Sequence, residues 1–179
     1  MWVNMRPIDF NAIRIALVRE VERATEVTCV MAQPETQRFP RPPRPYMTMF
    51  LVTPAQKVGD DASTYVSAGV WNVGGQRCMI VDFNAYGRTH EEAYEIAAAW
   101  QSALEMETTQ TILRKAGIAV WLNGSIADMS ELLQTGYEGR AKIEVQFGIA
   151  ANVTEDRGAI ETAQADGTMT TDQGKVVQI

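Results

Sequence analysis

Two periods of hydrophobic and polar residues run along this chain, and the places where one gives way to the other mark its elements. Residues 9–25 have helical spacing. Phe10, Ile13, Leu17 and Val21 share a face with Ala16 and Ala24, while Arg14, Arg19, Glu20, Glu22 and Arg23 fill the other. Asp9 is the expected N-cap. Residues 26–32 form a short β-rich run. Residues 46–53 read as a second strand stopped by Pro54, with a polar, mobile loop over 56–63. Two further β-type runs, 65–73 and 76–86, are joined by Gly74-Gly75, which predicts a tight hairpin whose turn needs positive φ. Gly87 ends the second run.

Thr89-His90-Glu91-Glu92 has the form of a capping box, with Thr89 and Glu92 each satisfying the other's backbone N–H. The helix it opens carries Ala93, Ile96, Ala97, Trp100 and Leu104 on one face. Rising polarity over 105–109 predicts a break. A second helical piece with Ile112 and Leu113 then ends at Gly117, a suitable C′ residue. Residues 118–122 read as a short strand closed by Asn123-Gly124, and 128–134 as a helical turn or loop. Residues 140–151 are expected to be the longest strand. Ala141, Ile143, Val145, Phe147 and Ile149 alternate there with Lys142, Glu144, Gln146 and Gly148, so one face is buried and the other wet.

These elements predict an α+β fold. A mixed, mainly antiparallel sheet of about five or six strands, a usual size, carries two longer helices on one face, with extended arms. Residues 1–151 form the domain. Residues 152–179 are poor in large apolar side chains and form a C-terminal arm that either frays or exchanges a strand with a neighbour. Ile160 and the pair Val176-Val177 are the candidates for such a strand.

A formal net charge of −6 and a pI near 4.9 argue against phosphate binding as the main role. They do permit an acidic passage through which DNA slides without sticking. Cys29 and Cys78 lie in apolar runs and read as buried free thiols. With no CxxC and His90 the only histidine, a zinc site is not expected. Neither a signal-type apolar segment nor a run approaching the ~20 residues of a membrane span occurs. The expectation is a soluble protein made in the cytoplasm, with no membrane partner.

Catalytic chemistry finds little support. Asp82 alternates with Val81 and Phe83 and is expected to face solvent. His90 sits at the start of a helix, where the dipole disfavours its protonation. The serines lack a GxSxG context, and Gly74-Gly75 is too short to cradle a phosphate. No cofactor or metal is called for.

Two segments remain. Arg38-Phe39-Pro40-Arg41-Pro42-Pro43-Arg44-Pro45 is a stiff cationic loop running straight into Tyr46. In a polyproline II helix of three residues per turn, Arg38, Arg41 and Arg44 line one face, a ridge suited to an acidic partner or a neighbouring subunit. Far downstream, Tyr137-Glu138-Gly139-Arg140 opens the long alternating strand.

The order of these features over residues 9–151 resembles the bacteriophage neck or tail terminator family, with Pro-Tyr and Tyr-Glu-x-Arg as its most specific pieces. The resemblance implies a structural virion protein: a hexameric ring stacked on the last ring of the tail tube, offering a platform to the head side. Implied partners are other copies of the chain, the tail-tube protein, a head-side connector or stopper, and a sheath protein if the tail contracts. DNA only passes through the lumen. No catalytic residue is carried over. Contact positions are expected at Arg38, Arg41, Arg44 and Tyr46, at Tyr137 and Arg140, and at Ile160, Val176 and Val177. Two rival readings stay open. One is another head–tail joining or tail completion ring protein. The other is a small enzyme or ligand-binding module built on the hairpin and the Thr89 cap, using Asp82 and His90.

Overall fold

The computed structural model describes residues 7–32, 41–67, 69–133, 136–158, 168–170 and 176–178, with the backbone alone for 131–133, 136–137, 168–170 and 176–178. In chain order the elements are α1 (Phe10–Thr25), β1 (Thr28–Met31), β2 (Tyr46–Ser67), β3 (Val70–Gly87), α2 (His90–Leu104), α3 (Glu107–Lys115), β4 (Ile118–Asp128), β5 (Glu131–Leu133), β6 (Gly136–Asp156), β7 (Thr168–Thr170) and β8 (Val176–Gln178). The main sheet runs β1-β2-β3-β6-β4, with β5 added to the start of β6. Among the described strands only β1–β2 is parallel; the other pairs are antiparallel. β7 and β8 pair with each other in a separate ribbon. The fold is α+β with a mixed sheet, as expected.

Strand alternation builds the core. Met47 and Met49, Met79, Val81, Phe83 and Ala85, and Ala141, Ile143, Val145, Phe147 and Ile149 all point to one side of the sheet. There they meet Leu17 and Val21 of α1, Ile96, Trp100 and Leu104 of α2, and Leu113 of α3. Trp100 is fully buried, its ring 5.2 Å from that of Phe83. Asp9 caps α1 by accepting N–H bonds from Asn11 and Ala12 at 3.1 and 3.0 Å. The helical run breaks between Leu104 and Glu107, and Gly117 follows α3 at φ +76°. Both cysteines are free and buried. Burial, and then the Glu22 charge, push the Cys29 thiol up to about 12.

The largest departure from the sequence reading concerns strand length. β2 does not stop at Pro54, and no loop fills 56–63. It continues to Ser67, paired along its length with β3. Proline is tolerated because β1 covers only the first four residues of β2, so Pro54 lies on an edge, inside an irregular step of the register. The hairpin turn is not at Gly74-Gly75 either. It lies between Ser67 and Val70, with Gly69 at φ +74°. Gly74 and Gly75 sit mid-strand for another reason: a Cβ on Gly74 would run into the Asn152 amide oxygen, and one on Gly75 into the Asp61 carboxylate.

β4 likewise runs through Asn123-Gly124: Asn123 stays paired with Val145, and the register slips between Asn123 and Ile126, where Gly124 and Ser125 form a bulge opposite Glu144. The 128–134 segment holds β5 rather than a helical turn. β6 extends to Asp156, and at 21 residues it is second to β2 at 22.

The consequence is a molecule with two parts. At ~1.5 Å per residue α2 is roughly 22 Å long, whereas at ~3.3 Å per residue β2 spans roughly 70 Å. The far ends of β2, β3 and β6 therefore project past the helices as a three-stranded tongue. Every residue from 54 to 67 is exposed.

Candidate functional site

The proline–arginine loop and the Tyr-Glu-x-Arg run, some ninety positions apart in sequence, meet at the end of the sheet opposite the tongue. Register brings them together. Tyr46 at the start of β2 pairs with Tyr86 on β3, and Tyr86 pairs with Arg140 on β6. The two tyrosine rings stack with centroids 4.7 Å apart and planes 11° from parallel. The Arg140 guanidinium lies 5.4 Å from the Tyr86 ring centre and donates to Asn84 Oδ1 at 2.9 and 3.2 Å. Such stacking suits the planar, weakly hydrated guanidinium.

Glu138 anchors the loop. Its side chain is buried, and Arg44 donates to its Oε1. Arg41 Nη1 stands 3.7 Å from the same oxygen, with its side chain 73 % exposed. Arg88 reaches the Arg44 carbonyl at 3.5 Å. The Arg44–Pro45 peptide bond is cis. Burial raises the Tyr46 phenol above its ordinary value, against the pull of the Arg41 charge.

A pair of glycines seats α2 against this cluster. Gly87 and Gly139 face each other across β3 and β6. A Cβ on Gly87 would lie 2.6 Å from both Ala93 N and Thr89 O, and one on Gly139 2.7 Å from His90 N. Only bare backbone lets the first turn of the helix pack there. Thr89 Oγ1 accepts from Glu92 N at 3.2 Å, but the Glu92 carboxylate takes the Arg88 N–H instead of the expected Thr89 N–H. The box is displaced by one residue because the chain turns at Arg88 out of β3.

Close by, Asp128 closes the β4–β5 connection. The Ser130 hydroxyl and N–H, and then Tyr94, hold its carboxyl down at about 2. Because the folded value lies below the ordinary ~3.9, this contribution is complete above that value and is lost as pH falls toward 2. An NMR titration of the Asp128 carboxyl should give a midpoint near 2, and Ser130→Ala should return it toward the ordinary value. An unchanged midpoint in that variant removes the Ser130 hydroxyl as a cause.

The expected contact residues divide as follows. Arg41, Arg44, Tyr46 and Arg140 belong to one cluster with Glu138 and Tyr86. Tyr137 pairs through its backbone with Leu132 of β5. Val176 and Val177 lie on β8, opposite Thr170 and Met169. Arg38 and Ile160 fall outside the described residues. Asp82 takes the helix-free face, as alternation requires, but it is half-buried under Lys142, whose Nζ lies 2.7 Å from Oδ2. His90 sits 2.6 Å from the Glu91 carboxylate. Among the described residues no group of three or more His, Cys, Asp or Glu is placed to hold a metal ion. No described helix is long and apolar enough to cross a membrane.

The sequence places Glu138 and Gly139 in the Tyr-Glu-x-Arg run and Tyr86 and Gly87 at a strand end, but nothing in those runs assigns the four a part in a shared cluster. A glutamate and a glycine interrupting the start of an alternating strand were the available signal. The arrangement they build clamps a stiff loop and presents Arg41 at its rim.

A family model described as phage neck terminator protein matches residues 12–174, a stretch containing the loop, this cluster and the tongue. The chain belongs to the phage neck terminator family. This neck terminator is thus a structural protein of the phage head–tail junction, located in the virion neck. No match was found among curated proteins. The clamped loop and the tongue give the terminator two opposite ends with different chemistry, one cationic and aromatic, the other a bare sheet.

Proposed function

We propose that the neck terminator works as a hexameric ring that caps the last ring of the tail tube and joins it to the head-side connector or stopper. The tongue is the observation that carries this reading. Three strands that outrun the helix layer, the outermost exposed from 54 to 67, have no use in an isolated domain, because unpaired strands and bare sheet faces are normally shortened, charged or covered. A ring supplies the cover through head-to-tail contacts that close on themselves.

In this reading residues 1–151 are the ring-forming body and 152–179 an arm. Arg38, Arg41 and Arg44, with Tyr46, Tyr137 and Arg140, meet a neighbouring ring component. Ile160, Val176 and Val177 add a strand to an adjacent copy. The tube protein binds below, a sheath protein joins if the tail contracts, and DNA passes through an acidic lumen without a binding role.

Native mass spectrometry and negative-stain imaging at high protein concentration, alone and with tail-tube ends, test the proposal. Six-fold rings with an open centre, free or seated on tube ends, are the expected result. A protein that stays monomeric even with tube ends present overturns it.

A further inference from the structure

Two partly exposed apolar surfaces lie on opposite faces of the same sheet. On the helix side, the core rows run on past the last helix. Ala151 and Val153 of β6 and Val73 and Trp71 of β3 continue them, and Tyr65 of β2 lies opposite Trp71. Tyr65 and Trp71 form an edge-to-face pair at 5.5 Å, with Tyr65 58 % exposed. Arg157 holds this end in shape. Its guanidinium lies 5.2 Å from the Trp71 ring centre, its N–H donates to the Gly69 carbonyl at 2.8 Å, and it pairs with Glu155 at 2.7 Å.

The second surface is a groove of about 230 Å³ on the helix-free side, where β4 begins. The Trp121 indole lies flat across Gly148, in the space a side chain there would take. Ile118, Ala119 and Ala150 continue the apolar lining, and Arg114 stands at the rim. Leu122 next to it is 54 % exposed. Among the described residues β4 is the last strand of the sheet.

We propose that the tongue of one copy docks, through its Tyr65–Trp71 end, into the Trp121 groove of the next copy. The inference rests on the ring reading and names the contact that closes it. A single copy cannot satisfy both surfaces itself: Val153 and Gly148 are on one continuous strand and face opposite sides of it. The two surfaces differ, so their union is head-to-tail, the type of contact that makes rings. Charge agrees as well. Asp60, Asp61, Glu155 and Asp156 outnumber Lys57 and Arg157 on the tongue, whereas the charged residue lining the groove is Arg114. Because Arg157 already fixes the aromatic pair, little ordering remains to be done on docking.

The test uses two full-length variants: a tongue variant with Tyr65→Ser and Trp71→Ser, and a groove variant with Trp121→Ser and Leu122→Ser. All four side chains are at least partly exposed, and circular dichroism with a thermal melt checks that each variant is folded. If the groove variant melts early, Arg114→Glu replaces it. Sedimentation velocity and native mass spectrometry then read assembly under conditions where the wild type forms rings. The expected result is loss of rings in each variant alone, and 1:1 dimers without larger species when the two are mixed, since each supplies the one surface the other has kept. Rings from either variant alone overturn the tongue-to-groove contact and leave the ring standing. Monomers that stay monomeric on mixing overturn it too, because the two surfaces then meet something other than each other. A wild type that never assembles removes the ring reading along with this one.

Discussion

Trp100→Ala is expected to lower the unfolding free energy by about 3–5 kcal/mol, the usual range for removing a large aromatic side chain from a core. Trp100 is fully buried and touches Phe83, which in turn meets Phe147 edge-on at 6.4 Å. It thus joins α2 to the two central strands. Domains are stable by only ~5–15 kcal/mol, so this one change removes a large share. Denaturant melts of the two proteins measure the difference. Trp100→Phe should lose much less, because the indole Nε1 has no hydrogen-bond partner among the described residues and its removal leaves no acceptor stranded. A Trp100→Ala loss under 1 kcal/mol contradicts this placement of α2 on the sheet.

Glu138→Ala is expected to cost about 2 kcal/mol and to release the proline–arginine loop. Breaking a fully buried ion pair costs ~3–5 kcal/mol, but the Arg44 side chain is one-third exposed (33 %) and can be rehydrated, so the lower figure applies. Arg44→Ala should lose a comparable amount, and the double variant less than the sum, with a coupling between ~0.5 and 3 kcal/mol. Additive losses mean that the two residues act independently. The same cycle bears on assembly, because Arg41 reaches the rim only while the loop is held. In the ring reading, Glu138→Ala weakens contact with a neighbouring component while leaving the tongue and groove intact.

The clamp also changes what the three arginines mean. From the sequence they read as a free cationic ridge awaiting a partner. In the fold, Arg44 serves the chain's own Glu138, and of the two described arginines of the loop Arg41 is the one that faces outward. A buried carboxylate holding a stiff loop in one geometry is a way of presenting a contact surface without entropy left to lose.

Period decided much of this protein without help from the fold. The spacing of Ile13, Leu17 and Val21, of Ala93, Ile96 and Trp100, and of Ala141 through Ile149 named the buried face of each element, because a helix or strand must hide the stripe that its repeat creates. Asp9, Thr89 and Gly117 marked helix ends through local backbone chemistry. The order of these pieces was enough to resemble the neck terminator family. Where strands ended was another matter. Pro54, Gly59, Gly74-Gly75 and Asn123-Gly124 all carry turn chemistry, yet each lies within a strand. Edge position, bulges and packed neighbours override local preference there, and those depend on residues far away in sequence. Nor is the union of Arg44 with Glu138, or of Tyr46, Tyr86 and Arg140, written in any one segment. Strand register set it, and register is settled only when the whole sheet forms over a shared core.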